Sequence, residues 1–324
     1  MKHIVLPRSS KGASVTAVIP CYNYGHYLEA AVSSVLEQPD VDARVIIVDD
    51  ASPDGSGDVA RDLAARDPRV RAVVHEENRG HIRTYNDGLR LVETEYAALI
   101  SADDLIGRRS LSRAVSLMEH HPRVGMVYGR IATFERDTDR LPRRHRPYHL
   151  WRIWGGDEWT EGVARSGYNW IASPEAVVRT SAMEQIGYYN PELPHTGDLE
   201  YWLRMAARWD IGQIHGPIQA YYRVHGNNMH ITDFGTREAD LRERYSAFRV
   251  LEDPAVVTDP ERAQRRLRQA RQTLSAQVAE LLAEGGGIDA DTGSLSEFLR
   301  ELTSADRQTV PLDTVPSKNG ESSR

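Results

Sequence analysis

From residue 15 to 128 the chain alternates short apolar runs with stretches of helical period. Residues 15–19, 45–48, 70–74, 96–100 and 124–128 are the apolar runs and predict strands. Between the first two, Tyr27, Leu28, Ala31, Val32, Val35 and Leu36 share one helical face. Ile82, Tyr85, Leu89 and Val92 repeat the pattern, and so do Leu111, Ala114, Val115 and Met118. Strands alternating with helices predict an α/β fold, a sheet flanked by crossover helices.

After Phe134 the pattern changes. Residues 135–167 read as a loop, carrying Arg143, Arg144 and Arg146 and then a run of tryptophans. Trp151, Trp154, Trp159 and Trp170 place four of the six tryptophans in a 20-residue window. A strand is expected at 176–179, a helix at 198–208 and two short strands at 211–214 and 218–222. Beyond Asn228 the pattern is helical. Asp259 before Pro260 is a helix start, because Asp caps free amides and Pro suits the first helical position. Ala263, Leu267, Ala270, Leu274, Val278 and Leu281 form a stripe that packs on its own domain or on a second subunit, as in a homodimer. Gly285, Gly286 and Gly287 end that helix. Ser294 with Glu297 reads as a capping box for a last short helix, and the polar tail after Ser304 is expected to be disordered.

Charge narrows the function classes. Asp+Glu 47 against Lys+Arg 40 leaves a net −7, which argues against a general nucleic-acid binder. The single cysteine, Cys21, can form no internal disulfide and nothing pairs it with an activating base, so it reads as structural. The first residues are too polar for a signal peptide and no run of about 18 apolar residues occurs, so a cytoplasmic location is expected. Only Lys2, Lys11 and Lys318 are lysines among the 40 basic residues. The arginines flanking the C-terminal stripe permit contact with a membrane surface, but the stripe is poor in aromatics and this reading is disfavoured.

Ligands of open α/β sheets bind beyond the carboxyl ends of the strands. Here those ends are acidic: Pro20-Cys21-Tyr22-Asn23, then Asp49-Asp50-Ala51-Ser52, then Ser101-Ala102-Asp103-Asp104. Neither GxGxxG nor GxxxxGK[ST] is present. Adjacent carboxylates at a strand end suit a hard divalent cation bridging a diphosphate; alternatively such pairs merely begin turns.

The ordered motifs VTAVIPCYNYGHYLEAAVSSVLEQ, VIIVDDASPDGS, ENRG, YAALISADD, IGYYNPELPHTGDLEYWLRMA and YYRVHGNN resemble family 2 glycosyltransferases of GT-A fold, a Rossmann-like mixed sheet flanked by helices. The resemblance spans roughly residues 14 to 229. It implies residues 1–13 as a lead-in and a catalytic domain at 14–232, with a nucleotide-binding half (14–134) and an acceptor half (135–232). A C-terminal helical region (233–304) and the tail (305–324) follow. It also implies inverting transfer of a sugar from a nucleoside diphosphate donor, assisted by Mn2+ or Mg2+. By motif position, Pro20 and Tyr22 line the nucleoside pocket, Asp49 accepts from the base, Asp103 contacts the ribose and Asp104 holds the metal. Ser101 stands where the family more often has Asp. Asp198 matches the general base, with Glu200 as fallback.

Arg79 or Arg83 could stabilise the leaving diphosphate, or either is a surface residue at a helix start. His225 is a second metal ligand or a structural turn histidine. Trp151, Trp154 and Trp170 are candidates for the acceptor side, since indole faces pack on pyranose rings, or they fill space beneath a loop. Arg143, Arg144 and Arg146 attract an anionic acceptor or form a solvated turn. MAARW has Met205 where processive synthases carry Gln, which favours single-sugar transfer. A stacking tyrosine with a base-contacting aspartate favours UDP or dTDP; the sugar and acceptor are not legible. The alternatives are a nucleotidyltransferase acting on sugar phosphates and a catalytically silent carbohydrate-binding subunit.

Overall fold

A computed structural model describes residues 12–136, 141, 150–226, 236–285 and 292–304. Strands β1 (Ser14–Cys21), β2 (Asp42–Asp49), β3 (Val70–Val74) and β4 (Tyr96–Leu99) are parallel, in the order β3-β2-β1-β4. Parallel neighbours need crossovers, supplied by α1 (Gly25–Leu36), α2 (Ser56–Arg66) and α3 (His81–Leu89). The acidic strand ends consequently open on one edge of the sheet.

Past β4 the directions mix. β5 (Leu105–Ile106), α4 (Ser110–His120) and β6 (Val124–Phe134) lead to β7 (Leu150–Trp154) and α5 (Gly156–Ser166). β8 (Val177–Arg179) then inserts antiparallel between β4 and β6. After α6 (Thr180–Ile186) and α7 (Gly197–Arg208) comes β9 (Asp210–Arg223), parallel to β6 and antiparallel to β5 and β7. Three helices close the described chain: α8 (Arg237–Phe248), α9 (Pro260–Ala283) and α10 (Thr292–Ser304).

The stretch expected to be a loop holds two elements, β7 and α5. Gly156 marks close packing rather than a turn: a Cβ there would lie 1.8 Å from the Ala206 carbonyl oxygen. Trp159 and Val163 supply the buried face of α5. The two strands expected at 211–222 are one strand that continues through Gly216, whose φ of 104° a side chain would resist. Ser294 is no cap: α10 begins at Thr292, and the Ser294 hydroxyl donates to Glu238 instead, at 2.6 Å. Asp259 caps α9 as expected, its Oδ1 accepting from the Arg262 amide at 3.0 Å. The stripe from Ala263 to Leu281 is buried in the same core as Trp159 and Phe298, so its own chain covers it. Arg143, Arg144, Arg146, Gly286, Gly287 and the tail lie outside the described residues.

Among the described residues five arginines, Arg113, Arg204, Arg223, Arg244 and Arg271, are buried. A guanidinium can meet several acceptors in one plane. Arg204 does so by pairing with Glu200 while donating to the carbonyls of Ile186 and Tyr188. Cys21 is also buried, and burial pushes its thiol up to about 12, which leaves it inert. Among the described residues no helix is long and apolar enough to cross a membrane.

Candidate active site

A cleft of about 880 Å³ opens at the carboxyl ends of β1, β2 and β4, facing the start of α7. Pro20, Tyr22, Asp103 and Asp198 all line it, as the sequence placed them. Tyr22 is 46% exposed, so its ring is available to a planar ligand.

The first acidic pair divides its work. Asp49 ends β2 with its carboxylate turned to Ser52, accepting from the hydroxyl at 2.6 Å and from the amide at 3.1 Å. It does not border the cleft; Asp50 does. Asp50 accepts from the amides of Arg79 and Gly80 at 2.8 and 2.9 Å and meets His75 Nδ1 at 2.8 Å. Burial opposes its charge, yet these donors hold its carboxyl below the usual range. Asp50 thereby fixes the turn into α3. Neighbouring Ala51 is held at φ 57°, a strained value for a residue with a side chain.

The second pair is tied to the end of β9. Asp103 Oδ2 lies 3.0 Å from His225 Nε2, and Asp104 Oδ1 accepts from the Arg223 amide at 2.8 Å. Arg223 Nε also donates to the Asp103 carbonyl, and its guanidinium lies between the rings of Tyr27 and Phe134. Asp104 Oδ2 is buried without a partner. Burial and the adjacent Asp103 charge push the Asp104 carboxyl well above its ordinary value, with Arg223 pulling it back. An orphaned carboxylate oxygen beside a second carboxylate and an imidazole is a donor set that suits a small divalent cation. Among the described residues no three acidic, His or Cys side chains form a metal cluster unaided. Such ions ordinarily complete their shell with substrate phosphate.

Asp198 stands at the first turn of α7. Its Oδ2 accepts from the Asn169 side chain at 2.8 Å and its Oδ1 from the Leu199 amide at 2.7 Å. Burial pushes its carboxyl up to about 6, against those donors and His195. Glu200 faces away. It is 5% exposed and locked to Arg204 by bonds of 2.7 and 2.8 Å, so it cannot serve the cleft.

The structure brings the remaining candidates to other places. Arg79 pairs with Asp87 at 2.7 Å, Arg83 is exposed on α3, and neither lines the cleft. Trp151 is buried in the sheet core. Trp154 donates to Gln213 at 3.1 Å beneath Arg152, and Trp170 borders a separate pocket. Sequence reasoning missed several residues of the cleft. Tyr85 was read as a core residue, and Asp240 and Arg244 arrive from α8, which no local motif announces. Asp240 links His195 at 3.2 Å to Arg244 at 2.8 Å.

Residues 16–173 match the model of Glycosyl transferase family 2. The uncharacterized glycosyltransferase EpsJ of Bacillus subtilis is 27% identical over 159 residues, 43% of this chain and 46% of EpsJ. The chain thus spans about half the length of that relative. In fold it resembles S. aureus TarS 1–349, crystallised with UDP-GlcNAc, at a TM-score of 0.65 and 14% identity, covering 92% of this chain and 82% of the other. The mannosyltransferase PcManGT from Pyrobaculum calidifontis, in complex with GDP-Man and Mn2+, superimposes at 0.53 with 20% identity, covering 92% and 81%.

Proposed function

Because residues 16–173 match the model of Glycosyl transferase family 2, we propose that the chain is a member of that family and moves one sugar from a nucleoside diphosphate to an acceptor hydroxyl, with inversion and without processive elongation. The observation that carries this reading is Tyr85. Tyr85 lines the cleft together with Asp103 and Asp198, so the proposed base and one member of the acidic pair border one space.

Inversion needs a base on the side of the anomeric carbon opposite the leaving diphosphate. Asp198, ionised above about pH 6, takes the acceptor proton. The acceptor oxygen forms its bond to the anomeric carbon as the bond to phosphate breaks, and the electron pair leaves with the nucleoside diphosphate. Asn169 and the Leu199 amide fix the carboxylate in place. On the donor side, Tyr22 offers a face to the base and Asp103 an acceptor to the ribose. Asp103, Asp104 and His225 would hold a divalent cation, which supplies positive charge to the departing diphosphate.

UDP or dTDP is the favoured carrier, a reading supported by the exposed ring of Tyr22 and by the UDP-GlcNAc complex of TarS. Metal use is supported by the orphaned Asp104 oxygen and by Mn2+ in the PcManGT complex. Single transfer is supported by Met205, fully buried where processive enzymes carry Gln. A cytoplasmic setting agrees with one buried, unactivated thiol. The test is a donor screen by product mass with water as acceptor. UDP-, dTDP- and GDP-sugars are incubated with Mn2+, and one donor is expected to release its sugar. Release from none of them overturns the reading.

A further inference from the structure

Behind the base lies a second cavity, of about 590 Å³. It forms where β6 and β9 part. Their register runs Tyr128 to Gln213, then Arg130 to Ile218, so residues 214–217 bulge from the ladder. Such bulges re-aim side chains beside active sites. Here the bulge brings His215 to a space shared with Glu175 and Trp170.

Two polar atoms in its lining make no hydrogen bond of normal geometry. Glu175 is 4% exposed; its Oε1 accepts from the Ala172 amide at 3.0 Å, while its Oε2 is buried and makes no such bond, the Gly129 amide acting on the carboxyl only outside that geometry. His215 Nε2 is likewise buried and unbonded. A buried polar group left without a hydrogen bond costs about 1–3 kcal/mol, so two in one cavity point to a ligand that meets them. The cavity is separated from the main cleft by little more than Asn169 and Ala172, which border both. Asn169 is also the residue that holds Asp198.

We propose that this cavity is a subsite for a sugar ring of the acceptor, one residue removed from the reacting hydroxyl, so that the acceptor is a saccharide of at least two rings. This rests on Asp198 being the base. The chemistry selects an uncharged polyol. A hydroxyl both donates and accepts, so it satisfies Glu175 and His215 in any protonation state. A cation would meet Arg130 at the rim. Trp170 supplies an aromatic wall, with its Nε1 already committed to the Ser166 hydroxyl at 2.9 Å. The volume lies within the usual range of small-ligand sites.

The test titrates lactose, maltose, cellobiose and chitobiose into the full chain carrying 15N-labelled tryptophan. The Trp170 indole resonance is assigned with Trp170→Phe. At least one disaccharide is expected to shift that resonance saturably, and Glu175→Ala to weaken it about tenfold or more, the loss of one buried hydrogen bond. If none of the four shifts it, the subsite is overturned, and this reading needs no variant to fold. A shift that Glu175→Ala leaves unchanged, in a protein with an intact melting transition, also overturns it. Asp198→Asn is titrated in parallel. Binding retained there with donor hydrolysis unaffected keeps the subsite and removes the base; hydrolysis lost with no disaccharide bound does the reverse.

Discussion

The Asn169 side-chain amide donates to Asp198 Oδ2 at 2.8 Å, and, after the Leu199 amide and His195, it opposes the burial that raises the Asp198 carboxyl to about 6. A base must be ionised to act. The rate should therefore fall as pH drops through about 6, giving an acid limb in kcat/KM. Asn169→Ala removes a donor that favours the carboxylate, so the limb should move to higher pH. A pH–rate profile of the two proteins checks this, and an unmoved limb would mean that Asn169 does not tune the base.

Asp198→Asn should retain donor binding and lose about 10²-fold or more in turnover, the usual worth of a positioned base. Glu200→Gln should behave differently. It breaks a buried pair with Arg204 and should cost about 3–5 kcal/mol of stability. Urea melts and steady-state rates, measured on both variants, separate the two carboxylates. Normal stability in Glu200→Gln would show that the pair with Arg204 is not what holds it.

Removing divalent metal should weaken UDP binding about tenfold or more, because the acids alone repel a diphosphate. Asp104→Ala should remove the gain that Mn2+ restores, since it deletes the orphaned oxygen. Calorimetric titration of UDP with Mn2+ and with EDTA measures both. Equal affinity in the two conditions would remove the metal from the account.

Burial pushes the Glu175 carboxyl up to about 8, above the 4.5 of an exposed glutamate, with the Ala172 and Gly129 amides pulling the other way. Between those values the folded state holds a proton that the unfolded chain releases. Stability from this group is therefore complete below about pH 4.5 and declines toward pH 8, by up to about 1.4 kcal/mol per pH unit. Glu175→Gln cannot ionise and should lack that slope. Urea melts at pH 5, 6.5 and 8 should show the variant gaining on the parent as pH rises; parallel curves would refute it.

Much of this was legible in the chain. Short apolar runs located the parallel strands because buried parallel strands are apolar on both faces, and the 198–208 pattern located α7 within a residue. The loop expected at 135–167 failed because β7 spans only five residues and α5 opens on a glycine, Gly156, directly after Gly155. Glycines that mark a helix packing backbone to backbone look the same as glycines that mark a turn. At the strand ends the sequence identified the acidic pairs, but not which member faces the ligand. Neighbouring residues there point opposite ways, and Ser52 captures one of them. Asp240 and Arg244 reach the cleft through tertiary packing, which periodicity does not encode. Glu175 gave no signal beyond an acid after a proline.

The buried arginines also bear on how the protein can be handled. Arg204, Arg223 and Arg244 do by planar hydrogen bonding what an ammonium could not, and all three lysines fall outside residues 12–304. Amine-directed reagents therefore find no side-chain target between those positions. Coupling the protein to an activated ester surface should attach it through Lys2, Lys11 or Lys318, whereas reagents for guanidinium groups would meet exposed arginines such as Arg83 first and leave Arg204, Arg223 and Arg244 untouched in the folded chain.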